Sequence, residues 1–357
     1  MIGLNRVKQY CRQSWQSLAQ DWLIMGEDPI PGSELNQTFL QASLPDFKFY
    51  LLLSLATAIA TFGLLTNSAA TIIGAMIIAP LMNPIVALAY ALIVLNPRLI
   101  ERSIFTLLTG LLSVILIAYL TTDLLGLKVV GSEILGRIQP NSLDLGVALA
   151  AGAAAAFANT RRSIANALPG VAIAVALVPP LSVVGIGLCL GKLGTEIAVS
   201  YGIDSSIAAG SFLLFITNLA GIIFSASLVF VSQKYGRPKR AIFGLTVSLL
   251  CLSLLLQPLG FSLRKLYLES VAYDTLFQMR KNQPDLFPGT SRFRTLNGRY
   301  GNDDVLYFDV AIEIPANEMT AIQERLDIAS REMTKRLNKP VKIKVDVIPF
   351  QEFESQP

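Results

Sequence analysis

An apolar stretch interrupted by two prolines constrains the fold of this chain more than any other feature. Residues 69–95 are apolar and long enough to cross a bilayer, which takes about 20 helical residues. Pro80, Asn83 and Pro84 lie near the middle of this stretch, within the sequence GAMIIAPLMNP of residues 74–84. A proline inside a helix removes a backbone donor and clashes with the carbonyl four residues earlier, and lipid offers that carbonyl no other partner. We therefore predict a discontinuous membrane helix that is buried against protein.

The same pattern recurs one hundred positions later. Residues 164–190 are again apolar, and within them Pro179 and Pro180 are followed by Leu181 and Ser182. With Pro80 set against Pro180, both copies read apolar, apolar, proline, leucine. A pair of proline-interrupted spans in corresponding places of two halves is typical of the substrate site of a transporter. The simpler interpretation, two ordinary kinks in membrane helices, stays open on these residues alone.

Composition indicates a membrane protein and argues against several other classes. The 357 residues are 53% hydrophobic and 15% charged, whereas an average soluble domain has about 25% charged residues. The net charge of +4 is small and the basic residues lie near membrane edges, so we expect a lipid bilayer as partner and no nucleic acid. The chain has no histidine, the commonest general base and metal ligand, and its three cysteines are far apart. We expect no enzyme activity, no cofactor and no metal site.

Seven apolar segments lie between residues 48 and 262. They run approximately over 48–66, 69–95, 103–122, 144–158, 164–190, 206–231 and 241–262. Basic residues gather at the N-terminus and in alternate gaps between these segments, which by the positive-inside rule predicts a cytoplasmic N-terminus. The basic residues in those gaps are Lys48, Arg98, Arg102, Arg161, Arg162, Lys234, Arg237, Lys239 and Arg240.

This topology predicts a fold class. Seven crossings of the inner (plasma) membrane would put the C-terminal domain outside. With three crossings in each half, residues 48–122 and 144–231 would form an inverted repeat. We predict an all-α polytopic membrane bundle with an inverted 3+3 repeat and broken helices. The fourth segment contains AAGAAAAFAN at residues 150–159, whose small side chains favour close helix packing, so we expect it inside the bundle and expect a homo-oligomer.

Residues 1–47 and 263–357, on either side of the membrane domain (48–262), are not predicted to cross the membrane. Apolar residues at helical spacing from Leu4 to Trp22 predict, within residues 1–47, an amphipathic helix on the inner membrane surface or on the protein's own cytoplasmic face. Strict alternation predicts strands at 306–314 and 341–347, and helical spacing predicts a helix at 322–337 with Asn317 as its cap. A helix near 264–281 and a strand near 292–297 would complete a small soluble α+β domain over 263–357.

Neutral polar residues are the candidates for a permeation path, because the middles of the apolar segments contain no Asp, Glu, Lys or Arg. Buried amides and hydroxyls more often join neighbouring helices than bind a ligand. Asn83, Ser182 and Asn218 differ because they lie beside prolines or at membrane depth, where freed carbonyls bind cations and helix N-termini bind anions. The candidate path residues are Asn67, Ser68, Pro80, Asn83, Pro84, Asn166, Pro179, Pro180, Ser182, Thr217 and Asn218.

Three motifs in this chain carry a family resemblance. GAMIIAPLMNP, GVAIAVALVPPLSVVGIG at 170–187 and FLLFITNLAGI at 212–222 resemble, in this order, the prokaryotic uncharacterised hydrophobic domain family, domain of unknown function 389. The likeness covers roughly residues 49–231. It implies an integral membrane protein and carries no activity with it. The family's usual glycine before the second proline of the first motif is Asn83 here.

Two functions from different classes fit these observations. The first is a transporter or channel that carries a small solute or ion through the inverted-repeat bundle. The second is a membrane scaffold or sensor whose C-terminal domain binds a partner or ligand. The absence of a water-accessible cavity at the level of the prolines would favour the second.

Overall fold

The computed structural model describes residues 29–162, 169–200 and 206–255, then 292–300, 306–315, 322–337 and 340–350, with the single residues 271, 274 and 278. The predicted N-terminal amphipathic helix, Asn166 and the Asn317 cap lie outside the described residues, as does most of the helix predicted near 264–281. The chain divides into two compact units, Met1–Leu255 and Leu256–Pro357.

The described part of the first unit is helical. Its helices are α1 (Gly32–Ala42), α2 (Phe47–Leu65), α3 (Ala69–Ile78), α4 (Met82–Val94), α5 (Pro97–Leu125), α6 (Ser132–Leu135), α7 (Ser142–Asn159), α8 (Pro169–Ser200), α9 (Ile207–Ser232) and α10 (Pro238–Leu255). Six helices in the described residues, α2, α5, α7, α8 (over Leu177–Ile197), α9 and α10, are long and apolar enough to cross a membrane, and the bent pair of α3 and α4 makes a seventh candidate. Each predicted apolar segment coincides with one of them, which fits a multi-pass membrane protein.

The first predicted break is confirmed. α3 ends at Ile78, Ala79 has extended backbone with φ −69° and ψ 124°, and α4 begins at Met82. The axes of α3 and α4 differ by 56°. Pro80 favours the break because it disfavours helical backbone at the preceding residue, Ala79, and also removes an amide donor. Pro84 lies in the first turn of α4, where a helix tolerates a missing amide.

The second predicted break is wrong at the position given. α8 carries helical backbone through Pro179 and Pro180, and within this helix Gly191 is the residue with a non-helical conformation, at φ 53° and ψ −126°. Proline fixes φ near −65°, which is itself a helical value, so two adjacent prolines remove hydrogen bonds without forcing the chain out of the helix. Leu177 and Leu181, which precede and follow the two prolines, are both buried, so protein surrounds this part of α8.

α1 and α6 lie at opposite ends of the bundle. α2 begins beside α1, and about 28 Å later it ends beside α6, where Asn67 Oδ1 accepts a hydrogen bond of 2.9 Å from Glu133 N. The chain then returns, because Asn96, just after α4, donates from Nδ2 to Asn36 Oδ1 of α1 at 2.9 Å. The broken pair of α3 and α4 therefore passes from the α6 end to the α1 end and is not a re-entrant loop.

Hydrogen bonds to backbone carbonyls hold the start of α1 and the segment just before it against the bundle. Tyr90 donates from its hydroxyl to Gly32 O at 2.9 Å, and Tyr235 donates to Ile30 O at 2.6 Å. Burial raises the pKa of the Tyr235 hydroxyl, so this residue is a neutral donor at ordinary pH. The rings of Phe39, Tyr90, Phe230 and Tyr235 pack edge to face or tilted, which stabilises the same corner of the bundle.

The small-residue helix α7 is buried along one face only. A side chain at Gly152 would clash with Ser225 Oγ and the Ile222 carbonyl, so glycine is required for this close approach to α9. On the opposite face Leu143, Val147 and Phe157 are exposed. The expectation that this segment lies inside the bundle is therefore wrong for its outer face, where the small residues Ala150 and Ala154 are exposed as well.

The second unit contains a three-stranded sheet in its described residues. β1 (Arg292–Tyr300) is antiparallel to β2 (Leu306–Pro315), and β2 is parallel to β3 (Val341–Phe350). α11 (Ile322–Leu337) connects the two parallel strands, as such a crossover requires. The strands predicted at 306–314 and 341–347 and the helix predicted at 322–337 are present. Leu306, Phe308, Val310, Ala329 and Met333 are buried, whereas Tyr307, Lys342 and Lys344 are exposed.

Candidate functional site

A polar cavity of about 300 Å³ lies in the second half of the membrane unit. Its described wall combines the segment after α6 with the first turns of α7, Pro180 of α8 and the middle of α9. The residues of this wall are Gly136, Arg137, Asp144, Val147, Pro180, Leu214 and Asn218. The volume is at the lower limit of small-molecule sites, which hold about 300–1,000 Å³. The cavity is therefore suited to an ion with its water or to a small solute.

Asp144 is fixed in the cavity wall by a capping box. Asn141 Oδ1 accepts a hydrogen bond of 2.9 Å from Asp144 N, and Asp144 Oδ2 accepts one of 3.1 Å from Asn141 N. This arrangement places the carboxylate in the first turn of α7, where the helix dipole favours negative charge. A carboxylate has about four acceptor positions. Those not used by Asn141 make Asp144 a candidate ligand for a cation or an ammonium group.

Arg137 is the positive charge in the same wall. Its Nη1 lies 2.7 Å from Glu133 Oε2, and the same nitrogen donates to the Glu133 backbone carbonyl. The Arg137 carbonyl accepts a 2.9 Å hydrogen bond from Ser211 Oγ, which ties this segment to α9. A guanidinium has five donors, so the pairing with Glu133 leaves donors for an anionic group.

α9 contributes a buried amide. Asn218 is 3% exposed and lies one turn beyond Leu214 on the same face of the helix, and both residues line the cavity. Burying an amide is costly unless hydrogen-bonding partners replace water. The neighbouring Thr217 has a different role, because its hydroxyl donates to Leu213 O of its own helix at 2.8 Å.

Ser182 is a second buried polar group near the prolines of α8. Its side chain has 0% exposure, and its hydroxyl has no hydrogen-bond partner among the described residues. A buried hydroxyl in this state is uncommon and costs about 1–3 kcal/mol. Ser182 is not among the described residues of the cavity wall, and neither is the buried Pro179.

The remaining path candidates of the first half lie elsewhere. Asn83 is exposed, Pro80 is half-buried and Pro84 is buried, and none of them is among the described wall residues of the cavity. The expectation that the two proline motifs would line one path is therefore not met by this cavity. Beside the break, Leu81 is instead buried in an apolar cluster with Phe49 and Leu53 of its own half.

Asn67 and Ser68 have structural roles at the α6 end. Asn67 Oδ1 accepts from Ser132 Oγ at 3.1 Å as well as from Glu133 N, and its backbone has φ +55°. Ser68 is the N-cap of α3, with Oγ 3.4 Å from Thr71 N. Both side chains satisfy backbone amides that the turn between α2 and α3 and the start of α6 leave without helical partners.

Sequence reasoning missed Asp144 and Arg137 as site residues. Arg137 lies in the gap between the third and fourth apolar segments and Asp144 at one end of the fourth, so neither is a charge in the middle of a span. One signal was available. Asn141 three residues before Asp144, next to an apolar run, is the pattern of a helix start with its carboxylate in the first turn. No comparable signal places the Arg137 side chain.

Comparison with known proteins agrees with the motifs. Residues 76–224 match the family described as "Domain of unknown function (DUF389)", and this range contains every described wall residue of the cavity. The chain is also 32% identical over 186 residues to an uncharacterised protein of Methanocaldococcus jannaschii. That match covers 52% of this chain and 53% of the relative, so the chain spans about half the length of the curated relative it matches. The family resemblance drawn from the three motifs is confirmed.

Proposed function

We propose that this chain, whose residues 76–224 form a DUF389 domain, moves a small polar solute or ion across the cell's inner membrane. One observation carries the proposal. A cavity lined by Asp144, Arg137 and Asn218 lies inside a unit with six described helices that are long and apolar enough to cross a membrane. Charged and amide groups at the end of and within membrane helices are costly to keep and mark substrate or ion pathways by default.

The packing of the helices supports an inverted repeat. In this arrangement α2, the α3–α4 pair and α5 correspond to α7, α8 and α9. The middle element of each half packs against the last helix of the other half, since α4 contacts α9 and α8 contacts α5. A two-fold axis in the membrane plane produces this exchange, and rocking of one half against the other would open the cavity alternately.

The distribution of charge supports an orientation. Lys48, Arg98, Arg161 and Lys234 all lie at the α1 end, next to α1 or to the helix ends that contact it. By the positive-inside rule this is the cytoplasmic end. Seven crossings then put the C-terminal unit on the external side.

The chemistry of the wall favours solutes that carry charge. Asp144 suits a cation or ammonium, Arg137 suits a carboxylate or phosphate, and Asn218 offers both a donor and an acceptor. A small zwitterion satisfies all three residues at once. The scaffold or sensor alternative requires no such cavity at the level of the prolines.

A homo-oligomer is part of the proposal. Asn83 is exposed beside the break between α3 and α4, and the flanking Ile73 and Ile77 are more than half exposed. Irregular backbone and a free amide are not stable against lipid tails. A second copy of the chain that covers this face would supply the missing protein contacts.

Flux through reconstituted protein tests the proposal. The full chain in liposomes is mixed with potassium chloride, sodium phosphate, glycine, urea and glycerol, and vesicle volume recovery is followed by stopped-flow light scattering. We expect faster recovery than in protein-free vesicles for at least one charged solute, and no gain for glycerol. A panel without any gain, with insertion verified by flotation and protease protection, would refute transport.

A further inference from the structure

A larger cleft, of about 580 Å³, lies at the α1 end of the membrane unit. It is formed by the end of α1 and the first turns of α5. Its described wall consists of Leu40, Arg98, Glu101, Arg102 and Phe105. None of these residues lines the proposed transport cavity, so the cleft needs a separate explanation.

Two guanidinium groups on successive turns of α5 face this cleft. Arg102 is half-buried and donates from Nη1 to Leu40 O at 3.0 Å, which holds its planar group in place. Arg98 is exposed and forms no ion pair with any described residue. By contrast, Arg162 at the same end is paired with Glu34 at 2.5 Å. Arginine binds phosphate through two parallel hydrogen bonds, and this pair leaves donors for that purpose.

An apolar stripe runs from the cleft along the lipid-facing side of α5. Phe105, Leu108 and Leu112 follow each other at helical spacing, and each side chain is more than half exposed. Because α5 is one of the helices long and apolar enough to cross a membrane, this stripe lies at the depth of acyl chains. The cleft therefore has the layout of a phospholipid, with charge at the membrane edge and apolar surface beneath it.

Glu101 restricts the kind of headgroup. Its carboxylate lies between the two arginines in sequence and lines the same cleft, where it would repel a bare phosphate. A phosphodiester whose headgroup also carries a donor, an ammonium or a hydroxyl, satisfies Glu101 as well as the arginines. The net charge of these three side chains equals one positive charge, which a single phosphodiester neutralises.

We infer that this cleft binds one phospholipid of the adjacent leaflet, with its phosphate between Arg98 and Arg102 and a hydrogen-bond-donating headgroup at Glu101. The site differs from a general positive-inside signal in two ways. Lipid binding at this site depends on Arg98 and not on other exposed basic residues at the same end, such as Arg240. The site also distinguishes ethanolamine and glycerol headgroups from choline, which has no donor.

Native mass spectrometry of the full chain in detergent tests the inference. The protein is mixed with phosphatidylethanolamine, phosphatidylglycerol and phosphatidylcholine of the same acyl composition. We expect the first two to be retained severalfold better than the third. Arg98→Gln should lower their retention about tenfold, since a charge-assisted hydrogen bond is lost, whereas the matched control Arg240→Gln should retain them as the wild type does.

Two further experiments test the headgroup contact and the acyl-chain contact separately. Glu101→Gln should remove the preference over phosphatidylcholine while the phosphate contact persists. Glycerol 3-phosphate, which has the phosphate without the chains, should not displace bound lipid at equal concentration. Equal retention by Arg98→Gln and wild type, an equal loss in Arg240→Gln, an unchanged headgroup preference in Glu101→Gln, or displacement by glycerol 3-phosphate would each overturn the lipid assignment. None of these readouts depends on whether the protein transports a solute.

Discussion

The two halves of the membrane unit carry matching prolines but differ in what surrounds them. In the first half the helix is broken at Pro80, and the inner side of the break, at Leu81, is filled. Leu81 is 3% exposed, and a side chain at Gly110 of α5 would meet Phe49, Leu53 and Leu81 at 3.3–3.4 Å. In the second half the helix continues through Pro180, yet the cavity lies beside it. A break in a helix and a binding cavity are therefore separate features.

The neighbouring helices explain this difference. In the first half, Phe49 and Leu53 of α2 lie beside Leu81, the residue after Pro80. In the second half, Asp144 of α7 and Asn218 of α9 share a cavity wall with Pro180. Apolar side chains close the space in the first half at native packing density, whereas the space beside Asp144 and Asn218 is open. The polar residues of the flanking helices, and not the prolines, locate the candidate site.

The strongest test of this comparison replaces Asn218 of the second half in one variant and Asn83 of the first half in another. Asn218→Leu should lower solute flux about tenfold or more, since it removes the amide from the cavity wall and adds apolar volume. Asn83→Leu should leave flux per inserted protein unchanged. Both are measured by stopped-flow volume recovery in liposomes. Loss of flux in Asn83→Leu with normal flux in Asn218→Leu would reverse the comparison.

Truncating a side chain beside each proline should lower the stability of the protein by different amounts. Leu81→Ala empties a filled space, and we expect it to lower the free energy of unfolding by about 2–5 kcal/mol. Leu214→Ala enlarges a cavity that already exists, so we expect about 1 kcal/mol. Thermal and denaturant unfolding in the same detergent measures both. Similar losses for the two variants would mean that the second half is packed as tightly as the first.

The charges of the cavity wall should set ion preference in opposite directions. Asp144→Asn keeps an acceptor for the cap of α7 but removes the negative charge, so cation flux should fall severalfold relative to anion flux. Arg137→Gln should shift the ratio the other way. Reversal potentials across planar bilayers or potassium and chloride fluxes report the ratio. Asp123→Asn, at the end of α5 and outside the described wall, is the control and should leave the ratio unchanged.

The smallest effect is expected for the proline that lies inside a continuous helix. Pro180→Ala restores one backbone donor to α8 without changing its course, so the free energy of unfolding should change by about 1 kcal/mol or less. Hydrogen exchange of the membrane helices should show the same protected stretch as in the wild type. A large new protected region would mean that Pro180 interrupts the helix in solution after all.

Much of the architecture could be predicted from the sequence, because lipid imposes length and hydropathy on every crossing. All seven apolar segments correspond to helices or to the bent pair, and the break at Pro80 was predicted at the correct residue. The continuity of α8 through Pro180 was not predictable from the proline alone, since a φ near −65° fits either a helix or a break and only packing decides. Of the described cavity wall, sequence reasoning named Asn218 from its depth in an apolar segment and Pro180 from the repeated proline motif. Arg137 and Asp144 come from a loop and a helix start, and tertiary structure brings them to the same cavity.

The most direct measurement is the accessibility of residue 218 to water. Asn218→Cys is made in a background in which Cys11, Cys189 and Cys251 are replaced by alanine, and the protein is reconstituted in liposomes. A membrane-impermeant sulfonated thiol reagent should modify the new cysteine and block flux, while Asn83→Cys in the same background should keep its flux after treatment. A cysteine at 218 that stays unmodified from both sides of the membrane, with flux unchanged, would show that the cavity is dry and would contradict the proposed path.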